Sequence, residues 1–446
     1  MKTVKLFLRP ERTAAVGYEP LQHHTLTDVG IRRSHNQDAH AEIPATSFAS
    51  WQEHGHVFIV ADGMGGHAVG EKAAAKAVRD IPLTYIKHAR DGVANALRRA
   101  FVETNAGIYA IGQKNPEFKG LGTTATALVL RPEGAWIAHV GDSRGYRIRN
   151  GVIQQLTFDH SLVWEMARRQ KVPPEQLQGM KSNVIIRSLG PDAMVQVDVE
   201  GPHPLEPGDI FVLCSDGLSG PLNDSEIGAI ASMLPPAEAC DFLIQLANLR
   251  GGPDNITVQI VRILGPDEAK SSKASGRKRS LAERVHWSLP VLALGVLLVI
   301  ATIGVSFEFR LLSMLLFLTA APTIVAGITG LVLHAQAEKK REEKESFSPN
   351  INFYREEDCS VPRAIVERLA KATQTLAGRI RDAATEGVPA EYERHFKLGL
   401  EHLEKSDLHE SFREFCRAMH VLSRSYNAPR NKPELFQPLW ESYKAQ

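Results

Sequence analysis

The chain is poor in cysteine and has no surplus of either charge. Its four cysteines, Cys214, Cys240, Cys359 and Cys416, lie scattered among 446 residues with no CxxC pair and no histidine pattern beside them. That excludes a disulfide framework and a thiolate zinc site, and a reducing compartment is expected. Lys plus Arg (52) nearly balances Asp plus Glu (51), so no global field favours nucleic acid, and none is expected as a partner. The opening MKTVKLFLRP has too few apolar residues ahead of Arg9 and Pro10 for a secretory leader. The leading domain is therefore expected to stay in the cytosol.

What is present begins with strands. Between residues 56 and 263 the runs HVFIVAD, TATALVL, AWIAHV, GYRIR and DIFVLCS are short and β-rich, and helical stretches are expected over 71–89 and 92–113. Tight glycine turns at 131–134 and at Asn150-Gly151 join successive runs, which predicts antiparallel neighbours and excludes a doubly wound sheet. With 446 residues, two or three folded units are expected.

Three apolar runs lead into or out of an acidic turn. They are FIVADGMGG at Asp62-Gly63, FVLCSDGLSG at Asp216-Gly217, and GGPDNITVQI at Asp254-Asn255. Any single Asp-Gly is ordinarily a turn and nothing more. Together, carboxylates projected off sheet edges can converge on a hard cation, and glycine lets backbone approach a ligand closely. TDVGIRRSHNQDAH adds Arg33 and Asp38, and IAHVGDSRGYRIRNG adds Asp142.

In this order, and with LGTTATALVL and LTFDHSLV, these segments resemble the metal-dependent serine/threonine protein phosphatases (PPM family, type 2C) of bacterial type, from about residue 25 to residue 263. The resemblance implies an α+β fold with two stacked antiparallel β-sheets flanked by helices, an α-β-β-α sandwich. It implies Mn2+ or Mg2+ as cofactors, two or three ions held by oxygen ligands. Asp62 would bridge two ions, Gly63 would ligate through its carbonyl, Asp216 and Asp254 would complete the first site, and Asp142 with Asp216 would form a weaker third. Arg33 would clamp the substrate phosphate and Asp38 would orient water. Strand alternation predicts that only one of Arg32 and Arg33 faces the site. Gln37 stands where many relatives carry Glu, and Met64 where animal-type relatives carry a histidine able to protonate the leaving group. His67 and His160 are expected to be structural, and His23, His24, His54 and His56 to be solvated.

The implied function is hydrolysis of phosphoserine and phosphothreonine monoesters by a metal-activated water, on proteins phosphorylated by a serine/threonine kinase. The alternative is a catalytically weak phosphatase-fold sensor or scaffold that recruits partners through its C-terminal helices. Boundaries are expected at 1–23 (N-terminal tail), 24–264 (phosphatase domain) and 265–286 (basic linker). Beyond these come 287–333 (hairpin), 334–360 (charged linker) and 361–446 (helical domain). The hairpin rests on two uncharged runs, 287–307 and 311–333, each long enough as a helix to cross about 30 Å of hydrocarbon. Their basic flanks predict two spans of a bacterial cytoplasmic membrane, a bilayer partner, and cytoplasmic N- and C-terminal domains. An all-α C-terminal domain is expected, and within it HFKLGLEHLEKSDLHESFREFCRAMHVL resembles one tetratricopeptide repeat, a candidate protein-binding element.

Overall fold

The structure is a computed structural model that describes residues 21–65, 70–114, 116–118, 120–177, 184–264, 354–383 and 388–427. The chain divides into two compact units, one formed by Met1–Lys270 with Asn352–Gln446, the other by Ser271–Ile351. Every described residue belongs to the first.

Two antiparallel sheets stack at its centre. One holds β1 (Leu21–Asp28), β11 (Ile256–Ile263), β10 (Ile210–Cys214), β7 (Arg144–Arg149), β8 (Val152–Gln155) and β12 (Arg355–Asp358), in that spatial order. The other holds β2 (Asp38–Ile43), β3 (His56–Met64), β5 (Ala125–Arg131), β6 (Gly134–Val140) and β9 (Asp198–His203), with β4 (Gly122–Thr123) paired to the end of β3.

The unbroken apolar runs are explained by burial on both faces. From β3, Phe58 and Val60 point into the inter-sheet core with Leu128, Phe211 and Val261. Val57, Ile59 and Ala61 point the other way, against helices α2 (Gly70–His88) and α3 (Val93–Lys114). From β10, Phe211 and Leu213 face the inter-sheet core, whereas Val212 and Cys214 face helices α6 (Asp224–Met233) and α7 (Pro236–Leu249). Smaller helices are α1 (Phe48–Glu53), α4 (Leu162–Gln170) and α5 (Asp216–Ser219). The β7–β8 turn has positive φ at both Asn150 (52°) and Gly151 (79°), the conformation an Asn-Gly hairpin requires.

Three C-terminal helices, α8 (Arg363–Ala383), α9 (Ala390–Glu404) and α10 (Leu408–Asn427), pack outside α6 and α7 as a further layer. Arg417 meets Glu238 at 3.0 Å, His420 meets Asp241 at 2.9 Å, and Arg413 donates to the Met233 carbonyl. One face of α10 is thereby spent on the α6 and α7 layer. In the α9–α10 hairpin, Gly399 lies against the Phe415 ring and the Ser411 hydroxyl donates to the Gly399 carbonyl. Of the expected helical domain over 361–446, residues 384–387 and 428–446 lie outside the described residues.

The expected localisation, a bacterial cytoplasmic membrane crossed by two spans, is corrected. Among the described residues no helix is long and apolar enough to cross a membrane. The long helices are amphipathic instead: α2 and α3 carry charged side chains along one face and pack the other on a sheet. The two runs at 287–307 and 311–333 lie outside the described residues.

Candidate active site

The end of β3 carries Asp62 to the rim between the sheets, and backbone and hydroxyl contacts hold it there. Its N–H donates to the Thr124 hydroxyl at 2.9 Å and its carbonyl accepts from the Thr124 N–H at 2.8 Å. Thr124 is also hydrogen-bonded to Ser143 at 2.7 Å, which ties the Asp62 strand end to the turn bearing Asp142. Gly63 has no room for a side chain, since a Cβ would stand 2.3 Å from the Gly70 carbonyl oxygen and 2.6 Å from that of Gln37.

Register brings the second carboxylate in, because Asp38 lies directly opposite Asp62 in the β2–β3 ladder. One Asp38 oxygen accepts from the hydroxyls of Ser215 and Thr257, both at 2.7 Å. Those two residues flank the remaining turns, so Asp38 links the β2 start to Asp216 and Asp254. Asn255 does the same for the loop 29–37. Its side chain accepts from the Gln37 N–H at 2.8 Å and donates to the Val29 and His35 carbonyls, both at 2.9 Å. The sequence shows Asn255 only as the partner of Asp254 in a turn; its zipping of a loop more than 200 residues away has no local signal.

Five carboxylates therefore face one another closely enough to disturb each other's ionisation. Burial first, and then Asp38, Asp216, Asp142 and Asp254, push Asp62 well above the usual carboxylate range. Burial raises Asp38 to about 7, against the pull of the Thr257 and Ser215 hydroxyls and with the push of Asp216 and Asp254. Asp142 and Asp216 are raised by burial and by neighbouring carboxylates. Such a cluster is satisfied by protons or by cations.

The residues present fit a hard cation. Asp38, Asp142 and Asp216 each keep one buried carboxylate oxygen with no protein partner among the described residues, and oxygen-only donors suit Mn2+ or Mg2+. No three described Asp, Glu, His and Cys side chains are drawn tightly enough to hold an ion by themselves. Water and a backbone carbonyl such as that of Gly63 would be needed to complete the coordination.

Arg33 reaches the rim of this cluster and pairs with Asp254 at 2.7 Å, half-exposed. Strand alternation is not what separates it from Arg32, as residues 29–37 form a loop. There, Ile31 and Arg32 both donate their N–H to the Gly252 carbonyl. Met64 is half-buried at the end of β3, and His67 lies outside the described residues. His160 is buried: its Nδ1 accepts the Gly141 N–H at 3.0 Å, so Nε2 carries the proton and donates to Asp198 at 2.9 Å. The expectation of a solvated His56 is corrected, since it is 3% exposed with its Nδ1 accepting the Ala45 N–H. His23 is part-buried against Glu42.

Residues 23–167 match the family model described as protein phosphatase 2C. The serine/threonine phosphatase stp of Listeria monocytogenes is 36% identical over 242 residues, which cover 53% of this chain and 93% of that protein. The chain belongs to the protein phosphatase 2C family. Protein phosphatase PhpP of Streptococcus pneumoniae is 37% identical, again over 53% of this chain and 95% of the relative. Among solved structures, the catalytic domain of serine threonine protein phosphatase PstP in complex with two manganese ions is 30% identical. It matches 55% of this chain and 99% of that one with a TM-score of 0.45. The enzyme is a protein serine/threonine phosphatase. A membrane hairpin and a tetratricopeptide repeat find no support in these comparisons.

Proposed function

We propose that residues 24–264 form the catalytic domain and hydrolyse phosphoserine and phosphothreonine esters of proteins by in-line attack of water, without a phosphoenzyme. Bound among the carboxylates, Mn2+ or Mg2+ would lower the pKa of that water and shield the negative phosphate from it. Asp62, Asp216 and Asp254 with the Gly63 carbonyl would hold the ions, and Asp142 would serve a third. Asp38, itself held by Ser215 and Thr257, would orient the water with its unpartnered oxygen. Arg33 would leave Asp254 for the substrate phosphate, because a guanidinium fork pairs with phosphate in two parallel hydrogen bonds. With Met64 directly after Asp62-Gly63, in place of an imidazole able to protonate the leaving oxygen, water would supply that proton. The substrates would be products of a serine/threonine kinase.

The observation that carries this reading is the oxygen on each of Asp38, Asp142 and Asp216 that has no partner among the described residues, within one cluster of five carboxylates. The test is phosphate release from phosphoserine, phosphothreonine and phosphotyrosine peptides after chelation and re-addition of Mn2+ or Mg2+. Release that depends on the metal and spares phosphotyrosine supports it. Release that survives chelation rejects it.

A further inference from the structure

The strand β12 comes from residue 355, far beyond the part of the chain shared with the phosphatases, yet it completes a catalytic sheet. It pairs antiparallel with β8, Arg355 opposite Gln155, and the ladder is extended by the Tyr354 N–H on the Gln155 carbonyl (3.0 Å) and the Cys359 N–H on the Gly151 carbonyl (2.8 Å). The first two residues of this segment reach around β8 to the chain beyond its C-terminal end. The Tyr354 ring lies 5.4 Å from that of Phe158, edge to face, and its hydroxyl donates to Glu200. Arg355 lies 3.6 Å from Asp224 and 2.9 Å from Glu175.

Asp224 leads onward. It also accepts from the Tyr146 hydroxyl at 2.9 Å and from Arg144 at 3.3 Å, and Arg144 grips Asp159 at 2.8 Å. Both arginines stand over Trp164 of α4, at 5.5 Å for Arg144 and 5.9 Å for Arg355. The inner charges cancel only with the tail in place: Arg144 and Arg355 against Asp159 and Asp224, with Glu175 and Glu357 toward solvent. Without Arg355, two buried carboxylates share one guanidinium.

The residue after Asp159 is His160, which exchanges two hydrogen bonds with Gly141: His160 N–H to the Gly141 carbonyl at 2.7 Å, and Gly141 N–H to His160 Nδ1 at 3.0 Å. Gly141 has φ +119° and no space for a Cβ, which would lie 2.5 Å from Thr124, so only glycine fits this turn. Asp142 comes immediately after it.

We propose that Tyr354 and Arg355 are positioning residues of the phosphatase: they hold residues 157–170, and through Asp159 and His160 the turn that presents Asp142. The metal role of Asp142 rests on the function proposed above, but the holding of residues 157–170 does not. The tail is then part of the catalytic apparatus, and not only a neighbour of it.

The test uses the full chain. Arg355→Ala is expected to raise amide exchange across residues 157–170 by about tenfold, and to weaken the lowest-affinity step of a Mn2+ titration by about tenfold, as loss of a support behind a ligand does. It should lower kcat for a phosphopeptide and leave KM nearly unchanged. Arg355→Lys should fall between the variant and the parent. Tyr354→Phe, which loses the Glu200 contact and keeps the ring against Phe158, should raise exchange to a smaller degree and provides the readout where Arg355→Ala does not fold. Arg417→Ala cuts the tail's ion pair with Glu238 elsewhere and should leave exchange and titration unchanged. Parent-like exchange in folded Arg355→Ala, or equal changes in Arg417→Ala, overturns the proposal. Asp142→Asn is titrated alongside: if it leaves Mn2+ binding untouched, the metal role of Asp142 fails, while exchange still decides the role of the tail.

Discussion

Arg33 and Asp254, 221 positions apart in the chain, meet side chain to side chain at 2.7 Å. The pair joins the residue read as phosphate clamp to one read as metal ligand. Both are substantially exposed, 50% and 31%, so the pair itself contributes little stability. Its significance is that a guanidinium and a carboxylate at the same rim can exchange partners when a phosphate and a cation arrive.

Arg33→Ala should therefore reduce kcat/KM on phosphopeptides by about 1.5–3 kcal/mol, the range for hydrogen bonds to charged groups, with Mn2+ affinity little changed. Steady-state kinetics and metal titration on Arg33→Ala and Arg32→Ala decide it. A larger kinetic loss for Arg32→Ala would reverse the assignment.

Asp62→Asn should abolish turnover while the fold persists, since Asp62 faces the other four carboxylates and its backbone contacts to Thr124 do not involve the side chain. Phosphate release near the parent level, with an unchanged circular dichroism spectrum, would remove Asp62 from the centre of the mechanism.

Asn255→Ala should destabilise the protein by about 3 kcal/mol, because it leaves the Gln37 N–H and the Val29 and His35 carbonyls without their partner. Arg33 and Asp38 lie in or beside that loop, so activity should fall with stability. Denaturant unfolding measures the first and phosphate release the second. An unfolding midpoint equal to the parent's would show that the loop holds itself.

Acid should destabilise the fold well above the carboxylate range. Burial pushes the His139 imidazole down to about 3, with His160 adding to it, and burial pushes His203 down to about 4. The unfolded chain takes up these protons near 6.5 and the folded chain does not. Stability from each is therefore complete above 6.5 and falls with pH toward the folded value. Between pH 7 and pH 5 each imidazole removes about 2 kcal/mol. Asp38, raised to about 7, pulls in the opposite direction through the same window when no cation is bound. Unfolding is therefore measured with Mn2+ present, and His203→Gln is compared with the parent. The variant should show a shallower loss from pH 7 to 5. An identical slope rules out His203 as a contributor.

How far the sequence can be read depends on whether burial or distance controls each feature. Strands β3, β10 and β11 are visible because both faces are buried and the apolar runs are continuous. Helices α2 and α3 fall within a residue or so of the expected spans for the complementary reason, one apolar face against a sheet. The acidic turns at Asp62 and Asp216 are visible because glycine must follow where backbones cross. Strand β12 is not. Its Arg-Glu-Glu-Asp has no apolar pattern, lies in what reads as a charged linker, and is held by an edge ladder, hydrogen bonds and ion pairs to residues some 130–200 positions away. The burial of His56 and the bridging by Asn255 are hidden for a similar reason: their partners come from other segments, and a single sequence does not show such pairing.

The four cysteines give the molecule a built-in clock. All are buried, and burial pushes Cys214 up to about 12, Cys359 to about 11, and Cys240 and Cys416 higher than an ordinary thiol. Alkylating reagents attack the thiolate, so each sulfur reacts only when its surroundings open. Cys359 sits against Gly228 and Cys416 lies where α10 faces α7, whereas Cys214 and Cys240 lie under the catalytic sheet. Labelling of the first pair ahead of the second would time the lifting of the C-terminal layer before the sandwich comes apart.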